Sequence, residues 1–180
     1  MAPQRLHPAM VQNIRRCAEA AAKGQDARIV VKMNALTDPA LIRELMTAAE
    51  RGVVIDLIIR GACMLPVGIA GKTDRIRVRS VIGRFLEHSR VFYFRAAAEE
   101  QLYMSSADWM SRNMFRRVEL AWPVTDPVAR QKIVDECLLA YMYDGQDAWE
   151  MDAQGQYTNV RDPLRGHSAQ QALMQRYRGH

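Results

Sequence analysis

The chain has 180 residues, of which 49% are hydrophobic and 25% are charged, and its formal net charge is +5. A chain of this length makes one ordinary domain and buries roughly 70% of its unfolded surface, so its core needs no disulfide bonds. Its three cysteines form no C-x-x-C pair and no apolar run approaches the ~20 residues of a membrane span, which argues against a zinc finger, a redox pair and a transmembrane helix. We therefore expect a single domain over residues 1–180 in the reducing cytoplasm.

The positive charge comes mainly from arginine. Of the 25 lysines and arginines, 21 are arginines. The planar guanidinium can hold two anionic oxygens at once, so this composition favours a polyanion such as polyphosphate, a nucleotide or a nucleic acid. An ordinary arginine-rich surface is the alternative for any single arginine. Only arginines next to strand ends are therefore candidates for a site.

The first half of the chain predicts a βαβ unit behind an N-terminal helix. Apolar residues at helical spacing follow Pro39, which has two possible capping residues before it, Thr37 and Asp38. Short apolar runs flank this helix, so they should pair in parallel through a right-handed crossover. The predicted elements are a helix at Pro8–Lys23, a strand at Ala27–Met33, a helix from Pro39 to Gly52 and a strand at Val53–Ile59.

The second half predicts further strands and then two helices. A loop rich in glycine and proline, Gly61–Thr73, precedes a strand in which Arg77 and Arg79 should share one face. Two runs rich in β-branched and aromatic residues then belong to the same sheet. The predicted elements are strands at Ile76–Val81, Arg90–Phe94, Gln101–Ser105 and Arg117–Val124, a helix at Asp126–Tyr143, a hairpin of Ala148–Met151 and Tyr157–Val160, and a helix that Ser168 caps.

The ends of the parallel strands provide the first candidate site residues. In an open α/β sheet the ligand crevice lies outside the carboxyl ends of these strands. The first strand brings Lys32 and Asn34 to that edge, and the second brings Arg60, which is followed by a glycine that lets the backbone approach a phosphate. Structural roles are the alternative: a lysine that extends from the sheet, an asparagine that caps a turn, and an arginine that closes the loop on a carboxylate.

A charged stretch before the fourth predicted strand provides the second group of candidates. His88 lies in it, unlike the other three histidines, and imidazole can donate a hydrogen bond to anionic oxygen. A structural hydrogen bond is the alternative for a single histidine. We expect Arg60 and His88 to converge on one anion site. Farther along, Asp108 is interpreted as a helix cap and Trp109 as a core or rim aromatic.

Four motifs occur in order at compatible spacing: KMNALTDP at 32–39, RG at 60–61, GRFLEHSR at 83–90 and SSADWM at 105–110. Together they resemble the C-terminal part of bacterial polyphosphate kinase of the first, long type. The resemblance implies an α/β fold with a phospholipase D-like mixed sheet flanked by helices. It also implies that the chain is the last, second C-terminal, catalytic domain of an ATP:polyphosphate phosphotransferase.

The resemblance also implies roles for individual residues. Arg60 matches an arginine that contacts ATP phosphate, and His88 matches a second active-site histidine that binds phosphate and acts as acid or base. Lys32, Asn34 and Arg90 complete the implied set for ATP and phosphate. The phosphorylated histidine of the family lies in the preceding domain, so the resemblance implies that this chain alone is inactive.

Cofactor and partners follow from the same resemblance. It implies Mg²⁺ that is bound with ATP, with ligands outside this chain and no metal site within it. The implied partners are ATP, ADP, polyphosphate and the remaining kinase domains in a homo-oligomer, without nucleic acid or a transmembrane segment. The implied location is the cytoplasm, with peripheral membrane association as a variant.

Two other classes of function stay open. One is a stand-alone phospholipase D-like phosphodiesterase that acts as a homodimer, and the other is a non-catalytic polyanion-binding module. The phospholipase D motif H-x-K with a later Asp has Arg90 and Arg95 at those two positions here, which disfavours a phosphodiesterase. Ser105, Ser106 and Asn113 match the G-S-x-x-x-N segment of those enzymes imperfectly.

Overall fold

A parallel pair of strands sets the architecture. β1 (Ala27–Met33) and β2 (Val54–Ile59) pair in parallel and are joined by α2 (Pro39–Glu50), which confirms the predicted βαβ unit. The Asp38 carboxylate accepts hydrogen bonds from two amides of the first turn, at 3.1 and 3.0 Å, and therefore caps α2. Gly52 follows with a φ of 104°, a conformation that favours glycine, and ends the helix.

The computed structural model describes residues 3–162 and 166–179, which form an eight-stranded mixed sheet in the order β6-β5-β4-β1-β2-β3-β7-β8. The predicted mixed α/β sheet is confirmed. No helix in these ranges is long and apolar enough to cross a membrane. The remaining elements are α1 (Pro3–Ala22), β3 (Ile76–Val81), β4 (Arg90–Ala96), β5 (Glu99–Ser105), α3 (Ser111–Phe115), β6 (Ala121–Pro123), α4 (Pro127–Ile133), a π-helical segment (Val134–Leu139), α5 (Ala140–Met142), β7 (Ala148–Met151), β8 (Tyr157–Asn159) and α6 (Ala169–Arg176).

The two faces of the sheet bury separate cores. On β1, Ile29, Val31 and Met33 face the core that includes α1 and α2. Val30 lies on the opposite face, in a core with the π-helical segment, α5 and the start of α6. Because strand side chains alternate, Lys32 lies on the same face as Val30. The sequence pattern of β1 thus places a lysine inside the second core.

Two predicted boundaries are wrong. α1 begins at Pro3 rather than at Pro8, because Leu6 and Met10 are both buried and their packing maintains the helix across the proline. The predicted strand Arg117–Val124 is reduced to the three residues of β6. Just before β6, the Leu120 carbonyl accepts a hydrogen bond from the Ser105 hydroxyl at 2.9 Å, so a side chain of β5 bonds to the segment that leads into β6.

The other second-half elements agree with the sequence. Asp126 caps the predicted long helix by accepting from the amide of Ala129 at 2.7 Å, and the helix runs through α4, the π-helical segment and α5. β7 and β8 form the predicted hairpin, and the Ser168 hydroxyl accepts from Gln171 at 3.3 Å to cap α6. Trp109 is fully buried between two aromatic rings of β4, Phe92 and Phe94, so it is a core residue.

Arg77 and Arg79 share one sheet face, as predicted, since both guanidinium groups lie near the Glu150 carboxylate. Arg79 is buried, and its Nη1 donates to the carbonyls of Tyr141, Met142 and Asp144 at 3.2, 2.5 and 3.0 Å. These carbonyls lie at the C-terminal end of α5, where a positive charge is favourable. Arg79 therefore joins β3 to the helices that cover this face.

We predict that Arg79→Met lowers the free energy of unfolding by about 3 kcal/mol, because it leaves three backbone carbonyls without their buried donor and removes the nearer of the two guanidinium groups from Glu150. Arg77→Met is the matched control on the same face. Its side chain is 42% exposed, against 9% for Arg79, so we expect a loss under about 1 kcal/mol. Urea unfolding of both variants measures the difference, and equal losses would contradict a bridging role for Arg79.

Candidate functional site

The predicted site residues lie at one edge of the sheet. β1, β2 and β3 run parallel and end at this edge, and β4 begins there because it is antiparallel to β1. Lys32 and Asn34 are at the end of β1, Arg60 follows β2, and His88 and Arg90 are at the start of β4. A small crevice at this edge is lined by Lys32, Met33, Ile58, Arg60, Val81, Glu87, Ser89 and Tyr141.

Arg60 is oriented by an amide rather than by a carboxylate. The Asn34 side-chain oxygen accepts from Arg60 Nε at 3.0 Å and from Nη2 at 2.5 Å. Gly61 makes this approach possible, because its amide donates to the Asn34 carbonyl at 2.8 Å and a Cβ there would lie 3.0 Å from that oxygen. In the described residues no carboxylate pairs with Arg60 and its Nη1 has no hydrogen-bond partner, so it retains donors for an anion.

Asp108 links Asn34 to Arg90. One carboxylate oxygen accepts from the backbone amide of Asn34 at 2.8 Å and from Arg90 Nε at 3.1 Å. The other accepts from Arg90 Nη2 at 3.2 Å. Arg90 Nη1 donates to the carbonyl of His88 at 3.0 Å. The interpretation of Asp108 as a helix cap is wrong, because α3 begins after Met110 and has no side-chain cap. Asp108 is instead the carboxylate that orients Arg90.

Lys32 is a buried cation with a complete set of partners. Its Nζ donates to Glu87 Oε2 at 2.8 Å and to Ser89 Oγ at 2.9 Å, and it lies 3.6 Å from the centroid of the Tyr141 ring. A buried ammonium needs such pairing, and the aromatic face adds a cation–π contact. Its two hydrogen-bond acceptors flank His88 in sequence. Lys32 therefore holds the segment that presents His88.

The charges around Lys32 shift two pKa values. Burial raises the pKa of Glu87, but the Lys32 charge and hydrogen bonds from Lys32, Tyr141 and Gln170 outweigh it, so the pKa lies below its ordinary 4.5. The Tyr141 hydroxyl donates to the same carboxylate. Burial and that bond raise the pKa of Tyr141 strongly. At neutral pH Glu87 is therefore a carboxylate and Tyr141 a neutral phenol.

His88 differs from its two neighbours. Glu87 and Ser89 turn toward Lys32, whereas His88 is exposed and its ring has no hydrogen-bond partner in residues 3–162 and 166–179. The structure joins its backbone to Arg90 and its flanking residues to Lys32. Its imidazole stands apart from this network and is accessible to solvent. The convergence of Arg60 and His88 on one anion stays a prediction.

Several contributors to the site were not assigned such roles from the sequence. Glu87 and Ser89 stand within GRFLEHSR, and their placement two residues apart, on either side of His88, was an available signal that both could face one partner. Tyr141 and Gln170 are far from the motif in sequence and follow no local pattern that connects them to it. Only the packing of α5 and α6 on this face brings them to Glu87.

A second polar cluster lies beyond β5. The Ser106 hydroxyl donates to the buried Glu119 carboxylate, and Asn113 Nδ2 donates to its other oxygen at 2.6 Å. Ser106 and Asn113 thus meet at one carboxylate, while Ser105 donates to a backbone carbonyl. These three side chains have structural partners. The described residues contain no group of three or more histidine, cysteine, aspartate or glutamate side chains that could hold a metal ion.

Comparison with known proteins agrees with the motifs. The family described as Polyphosphate kinase C-terminal domain 2 matches residues 1–171. The polyphosphate kinase of Paraburkholderia phytofirmans is 49% identical over 97% of this chain, which spans 26% of that protein. The crystal structure of polyphosphate kinase from Porphyromonas gingivalis superimposes with a TM-score of 0.91 and 34% identity, over 97% of this chain and 27% of that one. NucT from Helicobacter pylori shares the fold, with a TM-score of 0.51 and 11% identity over 78% of this chain and 94% of its own.

We predict that Glu87→Gln destabilises the chain by about 2 kcal/mol at pH 7, because it leaves the buried Lys32 without a counter-charge. The folded pKa of Glu87 is below its ordinary 4.5. The stability from its ionisation is therefore present above pH 4.5 and is lost as the pH falls through the folded pKa.

Denaturant unfolding from pH 7 to pH 3 should show the wild type and Glu87→Gln becoming similar at the acidic end. Glu50→Gln, at an exposed position that ends α2, is the control and should differ little from the wild type at any pH. A Glu87→Gln deficit that does not change with pH would show that the carboxylate charge is not what stabilises this cluster.

Proposed function

This chain belongs to the Polyphosphate kinase C-terminal domain 2 family, and from that premise we propose that it is a phosphate-binding catalytic domain of an ATP:polyphosphate phosphotransferase. The chain spans about a quarter of the length of the curated relatives it matches, 26% for the Paraburkholderia protein. The proposed reaction therefore belongs to the whole kinase. The contribution proposed for this domain is to position phosphates and stabilise their charge.

The observation that supports this role is the state of Arg60. Its guanidinium is fixed by Asn34, yet it keeps donors unpaired within the described part of the chain, at the edge where the parallel strands end. Arg90 and Lys32, in contrast, are neutralised by Asp108 and Glu87. A fixed and uncompensated guanidinium suits an anionic phosphoryl group, since its planar fork binds two oxygens without reorganising.

The other predicted residues take supporting roles in this proposal. Asn34 orients Arg60, while Lys32 and Arg90 fix the segment on both sides of His88 through Glu87, Ser89 and the His88 carbonyl. His88 itself, exposed beside this network, binds phosphate and exchanges a proton as acid or base. The phosphodiesterase alternative is not favoured, because the arginine in the place of the motif lysine is paired with Asp108.

The two carboxylates at this edge are paired with cations, Glu87 with Lys32 and Asp108 with Arg90, which disfavours them as Mg²⁺ ligands. In this proposal the ion arrives with ATP and is held outside this chain. ATP, ADP and polyphosphate are the substrates, and the remaining kinase domains in a homo-oligomer are the partners, in the cytoplasm where ATP is available.

We predict that Arg60→Ala raises the dissociation constant for tripolyphosphate at least tenfold, since one charge-assisted contact contributes roughly 1.5 to 3 kcal/mol. Arg60→Lys keeps the charge without the fork and should fall between Arg60→Ala and the wild type. Arg43→Ala removes an exposed arginine from α2 and is the matched control. Titration calorimetry at two salt concentrations measures all four proteins, and equal losses in Arg60→Ala and Arg43→Ala would leave only diffuse attraction of a polyanion.

We also predict that this chain does not form phosphohistidine with ATP. A nucleophilic histidine normally has a carboxylate or carbonyl that orients its ring, and in the described residues no such group contacts the His88 ring. Incubation with γ-labelled ATP and Mg²⁺, followed by measurement of acid-labile label, tests this, with His88→Asn as the blank. Stoichiometric label that His88→Asn abolishes would make His88 the nucleophile and overturn its assignment as an acid or base.

A further inference from the structure

The side-chain amide of Gln170 makes the two backbone hydrogen bonds that a neighbouring strand would make. It lies in the first turn of α6 and is 4% exposed. Its Nε2 donates to the Phe85 carbonyl at 2.8 Å, and its Oε1 accepts from the Phe85 amide at 2.8 Å. One amide side chain thus satisfies both backbone groups of one residue, as a strand does in a ladder. Phe85 lies in the turn that leads to His88, outside the sheet.

Gln170 contacts three alternate residues of that turn. Its Nε2 also lies 3.2 Å from Glu87 Oε1. At Gly83 an added Cβ would lie 2.5 Å from Gln170 Oε1, so a side chain there would displace the amide. Glycine at 83 and glutamine at 170 are therefore matched by shape. The turn that bears His88 is held by Gln170 at its start and by Lys32 at its end.

The sheet in turn fixes Gln170. The Ser168 hydroxyl donates to Asp147 at 2.6 Å, and the Ala169 amide donates to Asp144 at 2.8 Å. The Asp144 carbonyl accepts from the buried Arg79 of β3 at 3.0 Å. A continuous series of hydrogen bonds therefore runs from the sheet through α6 to the turn. The turn is therefore tied to the sheet by side-chain hydrogen bonds from outside the turn.

We propose that Gln170 is a positioning residue that holds the Gly83–Ser89 turn in the conformation that presents His88 beside Arg60 for phosphate binding. The inference rests on the proposed function of Arg60 and His88. Gln170 acts through the turn and does not itself reach the ligand. Without its amide, the Phe85 backbone groups bond to water and the first half of the turn loses its fixed geometry, while Lys32 still holds Glu87 and Ser89.

The test compares Gln170→Met, which keeps the length of the side chain but removes both hydrogen-bonding groups, with Gln171→Met, an exposed neighbour in the same helix. Gly83→Ala displaces the Gln170 amide without changing it, and it replaces Gln170→Met if that variant does not fold. Three quantities are measured: the dissociation constant for tripolyphosphate by calorimetry, hydrogen exchange of the Phe85 amide by NMR, and the His88 imidazole resonances.

In Gln170→Met or Gly83→Ala we expect about a tenfold higher dissociation constant, faster Phe85 exchange and shifted His88 resonances, in chains whose far-UV circular dichroism is unchanged. Gln171→Met should match the wild type. A folded variant with wild-type affinity and wild-type His88 resonances would overturn the proposal. If the wild type itself binds no tripolyphosphate, the proposed function fails, and the Phe85 exchange and His88 resonances alone then decide whether Gln170 positions the turn.

Discussion

A buried lysine is the constraint on which the site depends. Lys32 enters the second core because its place in β1 puts it on that face, and a charge there is stable only with partners around it. Glu87, Ser89 and the ring of Tyr141 supply them. These partners come from a turn and from a helix, so satisfying one ammonium fixes two separate segments. The segment between Glu87 and Ser89 is a single residue, His88, which is directed away from the core.

Abundant arginine has two different uses in this chain. Arg79 and Arg90 are largely buried and are fully engaged by carbonyls and carboxylates, so they act as structural cross-links. Arg60 is held by an amide oxygen and has no counter-charge in the described residues. Net charge therefore says little about where a polyanion binds. What matters is which guanidinium is both oriented and left uncompensated.

NucT from Helicobacter pylori shares the fold although most of its residues differ from those of this chain. At 11% identity the two chains share an architecture, whereas chemistry depends on the side chains at one sheet edge. In this chain Arg90 stands where the phospholipase D motif has a lysine, and its guanidinium is paired with Asp108. With that group occupied, Arg60 keeps unpaired donors and the exposed His88 ring has no hydrogen-bond partner within the described residues.

The sequence by itself determined the local elements. Apolar periodicity, a cap at Thr37 or Asp38, a cap at Ser168 and the short apolar run of β1 are properties of local segments. They predicted the βαβ unit, the final helix and the strand ends that carry Lys32, Asn34 and Arg60. The sequence-based predictions were wrong where a segment contacts residues far away in the chain. α1 continues across Pro8, where its residues pack in the core, and β6 is shorter than predicted, where the Ser105 hydroxyl bonds to the chain before it.

Only the tertiary structure decided which polar residues are free. Lys32 and Arg90 are paired with the carboxylates of Glu87 and Asp108, whereas Arg60 is bonded to the neutral amide of Asn34. Pairing between residues far apart in sequence leaves no periodic signal. Contacts of Tyr141 and Gln170 with the His88 turn arise from helices packing on a sheet face. Sequence patterns report backbone preference and burial over a few residues, whereas the state of a charge is set by whatever the fold places within hydrogen-bond distance.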